Sequence, residues 1–209
     1  MRNERITFIT RTAIFSSLAI VLYMIPVLRL ALPIFPSFLK IHFEEVPIFI
    51  AGFAYGPLSA SICIIIKTLV KFTTTSTVCV GELADMLYSF AFIIPAVLIY
   101  RKKKTISYAL IGLLVGTLVQ IIVASFFTTF VMLPFYEFVM GWPENVILDM
   151  CKKINPSITS LDWPFLSMVA LPFNALKDAI VIAITFILYK RVHILIDKIS
   201  FGSKKSPQN

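Results

Sequence analysis

Residues 105–136 read TISYALIGLLVGTLVQIIVASFFTTFVMLPFY and contain no charged side chain. About 20 consecutive apolar residues suffice for a helix to cross the hydrocarbon core of a bilayer. Further uncharged runs stand on both sides of this stretch, at 12–28, 46–66, 86–100 and 163–176. Hydrophobic residues make up 58% of the 209 and charged residues only 14%, unlike the composition of soluble domains. The sequence therefore predicts an all-α integral membrane protein.

Basic side chains concentrate beside the apolar runs. Arg2, Arg5 and Arg11 precede or open the first run, residues 101–104 read RKKK, and more lysines and arginines lie between 190 and 205. Basic residues flank membrane helices mainly on the cytoplasmic side, so this pattern predicts a multi-pass protein of the cell membrane with both termini in the cytoplasm. The net charge of +8 is then explained by orientation in the membrane rather than by nucleic-acid binding.

The same charges fix the expected number of helices. The chain must cross the membrane an even number of times between the N-terminus and 101–104, because both are expected in the cytoplasm. Only three apolar runs lie between them, so the number of crossings is even only if 46–66 forms two helices. Gly56-Pro57 offers the break, because proline is disfavoured inside a helix and favoured at its first turn. We predict one integral membrane domain, 1–209, with six helices at about 6–28, 42–55, 57–72, 83–100, 106–138 and 164–196. The connections 29–41, 73–82 and 139–163 then face outward.

The sequence gives little support for an enzyme. It contains no Gly-rich phosphate loop of the G-x-x-x-x-G-K-[ST] kind, so energy for any transport must come from a partner or a gradient. The three cysteines and two histidines have no metal-ligand spacing, which argues against a metal site. The predicted topology places Cys79 and Cys151 in accessible outward connections and Cys63 inside the bundle.

The segment 172–178, PFNALKD, places polar groups inside the last apolar run. Asn174 and Lys177 are three residues apart and share a helix face, where an amide and an ammonium could bind carbonyl groups of a ligand. An equally good interpretation pairs Lys177 with Asp178 or Glu82 and uses Asn174 to hold helices together.

Charged residues also stand near the ends of the third and fourth helices. Glu82 and Asp85 are expected to interact with the positive end of the helix dipole. A sharper alternative is a carboxylate pair for hydrolysis within the membrane, although the sequence offers it no nucleophile. Lys67 and Lys71, one turn apart, are expected to extend toward the lipid headgroups.

Short motifs follow one another in order along nearly the whole chain. They are Phe38-Leu39-Lys40, Glu45-Val46-Pro47, Gly52 with Gly56-Pro57-Leu58, Gly81-Glu82-Leu83-Ala84, Met132-Leu133-Pro134-Phe135-Tyr136, Leu171-Pro172-Phe173-Asn174 with Lys177, and Leu188-Tyr189-Lys190-Arg191. Each motif is weak alone, but the ordered series is fairly specific. It resembles the substrate-binding S components of energy-coupling factor (ECF) transporters, and among them the riboflavin-specific subgroup.

This resemblance implies a six-helix membrane protein that binds riboflavin near the outer surface, in a pocket capped by the connection between the first two helices. It also implies a membrane coupling subunit and two cytoplasmic ATPases as partners, which fits the missing phosphate loop. Riboflavin is then a transported ligand, and no cofactor is implied. Three alternatives stay open: an S component for another vitamin or flavin-like ligand, a small membrane enzyme that uses Glu82 and Asp85, and a structural or pore-forming protein.

The resemblance also assigns residues by position. The ligand site that it implies comprises Phe38, Leu39, Lys40, Glu82, Thr128, Asn174 and Lys177, with flavin contacts at Asn174 and Lys177. Thr128 stands where an asparagine is expected, and His42 stands where an aspartate is usual. The docking motif of the family is two alanines four residues apart in the first helix, and Ala13 with Ser17 matches it with one small-for-small change.

Overall fold

The computed structural model describes the backbone of residues 2–75 and 77–203, most of which is helical. In chain order the elements are α1 (Arg2–Met24), a 3-10 turn (Pro26–Leu28), β1 (Leu30–Ala31), β2 (Lys40–Ile41), α2 (Glu45–Tyr55), α3 (Pro57–Lys71), a 3-10 turn (Phe72–Thr74), α4 (Val80–Lys102), α5 (Ile106–Phe127), a π-helical turn (Thr128–Met132), α6 (Leu133–Phe138), α7 (Glu144–Lys152), α8 (Trp163–Phe165), a second π-helical turn (Leu166–Ala170) and α9 (Leu171–Ser203).

The long helices alternate in direction, and basic residues gather at one end of the bundle. The guanidinium of Arg11 in α1 lies 5.4 Å from the ring centre of Tyr55, the last residue of α2. Arg101, near the end of α4, lies beside Gly56 in the turn between α2 and α3. We call this the basic end.

The opposite end holds the other termini of the same helices. The ammonium of Lys71, the last residue of α3, lies 3.9 Å from the ring centre of Tyr23 near the end of α1. It also lies 2.7 Å from the carboxylate of Asp85 near the start of α4. This pole, which we call the pocket end, is where α1, α3 and α5 end and where α2 and α4 begin.

Five helical segments of the described residues are long and apolar enough to cross a membrane, and Glu45–Tyr55 is apolar but has only 11 residues. The short helix ends where the sequence predicts a break, because Gly56 has a φ of +100° and Pro57 opens α3. A side chain would strain the backbone at that φ. Six crossings with cytoplasmic termini therefore remain a prediction, with α2 as the short member.

Two glycines bring α4 and α5 into close contact. A Cβ atom on Gly112 would overlap the carbonyl oxygen of Ala96, and one on Gly116 would overlap that of Phe92. Spacing of small residues by four lets helix backbones approach closely, which is a common means of association in lipid. Helices α4 and α5 therefore pack closely against each other below the pocket.

Two helical segments in the second half of the chain meet the pocket end, and each contains a π-helical turn. A proline follows each turn. The N–H of Leu133 bonds to the carbonyl of Thr128, and that of Leu171 bonds to Leu166, five residues back in each case. Pro134 and Pro172 come next; proline has no N–H and its ring clashes with the carbonyl four residues earlier. The wider turns accommodate this conflict, so the predicted helix 106–138 is interrupted at Thr128.

Several helix boundaries differ from those that the sequence predicted; among them, α4 begins at Val80 rather than near 83, and α9 ends at Ser203 rather than near 196. Helix α1 ends at Met24 rather than near 28, because Pro26 opens a 3-10 turn. Helix α2 begins at Glu45 rather than near 42, because Lys40–Ile41 pairs with Leu30–Ala31 in a short antiparallel ladder. Residues 25–44, which contain this ladder, form a segment that we call the cap.

The connection 139–163 contains a helix that was not predicted, α7, and its apolar side packs inward. Ile147 and Cys151 are buried in a cluster with Phe35 of the cap and Phe165. The expectation that Cys151 is accessible is therefore wrong, since the side chain has no exposed surface. Burial raises the pKa of the Cys151 thiol to about 11. Cys63 is buried, as expected, and Cys79 is partly exposed.

Candidate ligand-binding pocket

A cavity of about 480 Å³ opens at the pocket end, between the cap and the helices. Side chains from the cap and from α2, α4, α9 and the first π-helical turn line it. All seven residues of the predicted ligand site are among them: Phe38, Leu39, Lys40, Glu82, Thr128, Asn174 and Lys177. Residues separated by more than 130 positions in the sequence thus share one cavity of a size typical of small-molecule sites.

Asn174 is held in place by three hydrogen bonds. Its Nδ2 donates to Ser125 Oγ at 3.1 Å and to the carbonyl oxygen of Ala170 at 2.9 Å. Its Oδ1 accepts from Gln120 Nε2 at 3.4 Å. The amide does tie α9 to α5, as one interpretation held, but it also lines the cavity, and Oδ1 can accept a second hydrogen bond.

Lys177 is 9% exposed and its ammonium lies 3.4 Å from Glu45 Oε1. Asp178 is the second carboxylate near it, at 3.9 Å. Of the two partners that the sequence suggested, Asp178 is therefore present, whereas Glu82 bonds elsewhere. Because an ammonium has three donors, Lys177 can bind Glu45 and still donate to a ligand in the cavity.

Glu82 fixes the connection between α3 and α4. Its Oε2 accepts hydrogen bonds from the hydroxyls of Thr75 and Thr77, both at 2.9 Å. The hydroxyl of Thr77 in turn accepts from the backbone N–H of Gly81, at the start of α4. Glu82 lines the cavity wall. Its carboxylate accepts hydrogen bonds from two threonines and is not paired with the carboxylate of Asp85.

Lys67 and Lys71 are buried, so the expectation that they extend to the headgroups is wrong. Asp85 lies 3.0 Å from the ammonium of Lys67 and 2.7 Å from that of Lys71, and Glu44 lies 3.5 Å and 3.1 Å from the same two groups. Lys67 also donates to Ser89 Oγ at 2.8 Å. Two carboxylates within hydrogen-bond distance make burial of two ammonium groups tolerable. We call Glu44, Lys67, Lys71 and Asp85 the ion cluster.

Glu44 belongs to the cap and connects it to the ion cluster. Burial alone would raise the pKa of the Glu44 carboxyl, but Lys71, Lys67 and His42 more than offset it and hold this pKa well below its ordinary value. His42 Nδ1 lies 3.7 Å from Glu44. His42, Glu44 and Asp85 are also close enough to surround a metal ion, yet the two lysines already neutralise both carboxylates.

Aromatic contacts hold the cap over the cavity. The ring of Phe35 meets Phe173 of α9 at 5.3 Å, and Phe38 stacks on Phe165 at 6.5 Å. The ring centre of Tyr23 in α1 lies 4.3 Å from the guanidinium of Arg29 and 3.9 Å from the ammonium of Lys71. The cap is therefore attached to the bundle by ring contacts and by charged groups.

The predicted docking pair lies elsewhere, on α1. Ala13 and Ser17 are exposed on the outer face of the helix, whereas Thr12 and Ser16 face the bundle. The hydroxyl of Thr12 is 2.8 Å from that of Ser59 in α3. Nothing in the described structure covers Ala13 or Ser17, and neither residue touches the cavity.

Sequence reasoning missed several residues that line the pocket or support its lining. Glu45 was quoted only within a motif, although it is the closest carboxylate to Lys177. Gln120 and Ser125 orient Asn174, and Tyr88 lines the cavity. A buried glutamine in an apolar run is itself a signal, because polar groups in membrane helices need partners.

Comparison with known proteins gives a consistent result. The family model described as "ECF transporter, substrate-specific component" matches residues 7–189. The "Riboflavin transporter RibU" of Staphylococcus aureus is 25% identical over 85% of this chain and 87% of its own length. The "Riboflavin transporter FmnP" of Bacillus subtilis is 27% identical over 86% of this chain and 90% of its own length. A solved S component of a bacterial ECF transporter is 25% identical and superposes with a TM-score of 0.70, covering 94% of this chain and 99% of that one. The chain therefore belongs to the family of substrate-specific components of ECF transporters.

Proposed function

We propose that this protein binds riboflavin in the cavity at the pocket end and mediates its uptake together with an energy-coupling module. The observation that carries the proposal is the cavity itself, in which the side chains of Asn174 and Lys177 stand among aromatic, aliphatic and charged side chains. Riboflavin is a flat, mostly uncharged molecule edged by carbonyls and an imide N–H. Apolar pockets with a few placed polar groups are the usual solution for such ligands. Two similar proteins that are named riboflavin transporters support the choice of ligand.

Family membership and the apolar helices make the chain a multi-pass protein of the cell membrane and a transport component, not an enzyme. The interpretation of Glu82 and Asp85 as an acid and base pair is thereby set aside. The geometry agrees, since Glu82 accepts from two threonines and Asp85 pairs with two lysines.

Within the cavity, Lys177 donates to a carbonyl oxygen on the polar edge of the flavin ring, and Asn174 Oδ1 accepts one hydrogen bond from a hydroxyl group of the ligand. Both side chains come to the ligand already oriented, because Glu45 holds the ammonium and Gln120, Ser125 and Ala170 hold the amide. Groups held in the bound geometry before binding reduce the entropic cost of association. Phe38 and Leu39 of the cap cover the ligand.

As a substrate-specific component, the protein works with an energy-coupling module. We propose that this module consists of a membrane coupling subunit and two cytoplasmic ATPases, and that Ala13 and Ser17 form the docking face. Two small side chains one turn apart and exposed on α1 permit close approach of a partner helix. Their separation from the cavity allows ligand binding and docking to be tested independently.

Purified protein provides the test. It should quench the fluorescence of added riboflavin in a saturable titration, and protein from cells supplied with riboflavin should carry flavin absorbance. Thiamine and biotin serve as comparison ligands and should not compete. If the protein ignores riboflavin but retains another vitamin, the family assignment stands and the proposed substrate is wrong.

A further inference from the structure

We propose that Tyr88 and Thr128 form a hydroxyl pair that reads the imide edge of the ligand, which makes Tyr88 a specificity-determining residue. This inference rests on the proposed function, because it concerns how riboflavin is distinguished in the cavity. It assigns a role to a residue of α4 that no sequence motif pointed to.

The geometry places the pair at the cavity wall. The hydroxyl oxygens of Tyr88 and Thr128 are 3.0 Å apart, and both residues line the cavity. On α4, Gly81, Asp85 and Tyr88 share the face that points into the cavity, since they are spaced by four and three residues. Of these three residues, Tyr88 lies farthest along α4 from the start of the helix. Its ring packs edge-on against the ring of Phe127, with 6.0 Å between the ring centres.

The hydroxyl pair lies where the first π-helical turn begins. Thr128 is the first residue of that turn, and Met132, four residues later, lines the same cavity. Thr129, between them, is buried away from it. Single π-helical turns often occur at functional sites, where they redirect side chains. Here the turn begins at Thr128, whose hydroxyl lies 3.0 Å from that of Tyr88 in α4.

The chemistry of two bonded hydroxyls matches an imide edge. Each hydroxyl has one hydrogen and two lone pairs. One hydrogen is used between Tyr88 and Thr128, so the pair retains one donor and free acceptors, which is the pattern of a side-chain amide. Either oxygen can be the donor in this contact. The pair can therefore accept from an imide N–H while it donates to the neighbouring carbonyl.

A purely structural tie between α4 and α5 would have different consequences. A tie contributes to stability, and its loss would change the affinities of all ligands by the same factor. A recognition element changes the ratio of affinities for ligands that differ only at the imide. The discriminating ligand is 3-methylriboflavin, in which a methyl group replaces the imide hydrogen.

The experiment titrates riboflavin and 3-methylriboflavin into the purified full-length protein and its Tyr88→Phe, Thr128→Val and double variants. The wild type should bind riboflavin at least about 5-fold more tightly than the methylated analogue. Tyr88→Phe should weaken riboflavin binding by about 5- to 30-fold and reduce that preference to within about twofold. The double variant should resemble Tyr88→Phe, because the two hydroxyls act as one unit.

Tyr108→Phe, at the far end of α5 beside Lys103, is the matched control and should behave as wild type. Thermal melting shows which variants are folded, and Thr128→Val keeps the test valid if Tyr88→Phe unfolds. An unchanged preference in folded variants, or a wild type that does not distinguish the two ligands, overturns the inference. If the wild type binds neither riboflavin nor 3-methylriboflavin, the proposed function is wrong.

Discussion

The two ends of the bundle handle polar groups in different ways. At the pocket end, seven ionisable side chains are buried together, two helices contain π-helical turns and proline follows each turn. Toward the basic end the helices are regular and glycines set their spacing, and Arg11 and residues 101–104, for which the structure describes the side chains, are exposed. Buried charges and irregular turns cost stability, so they persist where they have a use. This difference supports the proposals that the pocket end binds the ligand and that the basic half provides packing and a docking surface for a partner.

The largest effect is expected from the docking face. Replacing Ser17 by Trp places a large ring where close approach of a partner helix is required. Riboflavin uptake by cells should be abolished, while the purified variant binds riboflavin as the wild type does. Leu18→Trp, next to it and also exposed, is the matched control. If the variant loses ligand binding but still assembles with the energy-coupling module, Ser17 belongs to the pocket instead.

The ion cluster should show the largest change in stability. Lys67→Met leaves Glu44 and Asp85 with one ammonium in place of two, and breaking a buried ion pair costs about 3–5 kcal/mol. The thermal midpoint in detergent should therefore fall sharply. Adding Asp85→Asn restores the charge balance and should recover part of the loss. If Lys67→Met melts as the wild type does, the ion cluster is not holding the cap and helices together.

A smaller change in stability should follow Gly116→Ala. The added methyl group overlaps a backbone carbonyl of α4, and the two helices must separate slightly. Overpacking of this kind costs about 1–3 kcal/mol. Leu114→Ala, on the exposed face of the same helix, should cost less, and the difference in thermal midpoint is the measurement. A wild-type midpoint for Gly116→Ala would contradict the close contact of α4 and α5.

The smallest effect separates two cysteines. Cys79 is partly exposed, whereas Cys151 is buried and its thiol has a raised pKa, so little reactive thiolate forms near neutral pH. A maleimide reagent that cannot cross membranes should label Cys79 in cells and leave Cys151 largely unmodified. Cys79→Ser should remove the signal. Labelling that persists in that variant would show that α7 opens readily.

Much of the fold could be predicted because membrane helices leave direct signals. Apolar length, flanking basic residues and the Gly56-Pro57 break indicated the helices, and these depend on local sequence only. The π-helical turns could not be placed, because Pro134 and Pro172 predict a disturbance but not its form. The length of α2 and the packing of α7 depend on contacts with the cap, which periodicity does not report.

Part of the site could also be predicted, because some of its residues leave signals in the local sequence. Asn174 and Lys177 stood out as polar groups in an apolar run, and the ordered motifs added the cap residues. The environment of Lys67 and Lys71 was misjudged, because snorkelling is the usual solution for a lysine near a helix end. Their carboxylate partners come from α4 and the cap, and only the tertiary structure brings Asp85 and Glu44 to them.

The proposed ligand site is tested most directly by the affinity of purified Asn174→Ala and Lys177→Met for riboflavin, measured by fluorescence titration beside the wild type. Removing one buried hydrogen-bond partner costs about 1–3 kcal/mol, so each variant should bind about 5- to 150-fold more weakly. Lys153→Met, on an exposed connection, should bind as the wild type does. If both pocket variants remain folded and retain wild-type affinity, these residues only hold helices together and the ligand does not bind at this polar edge.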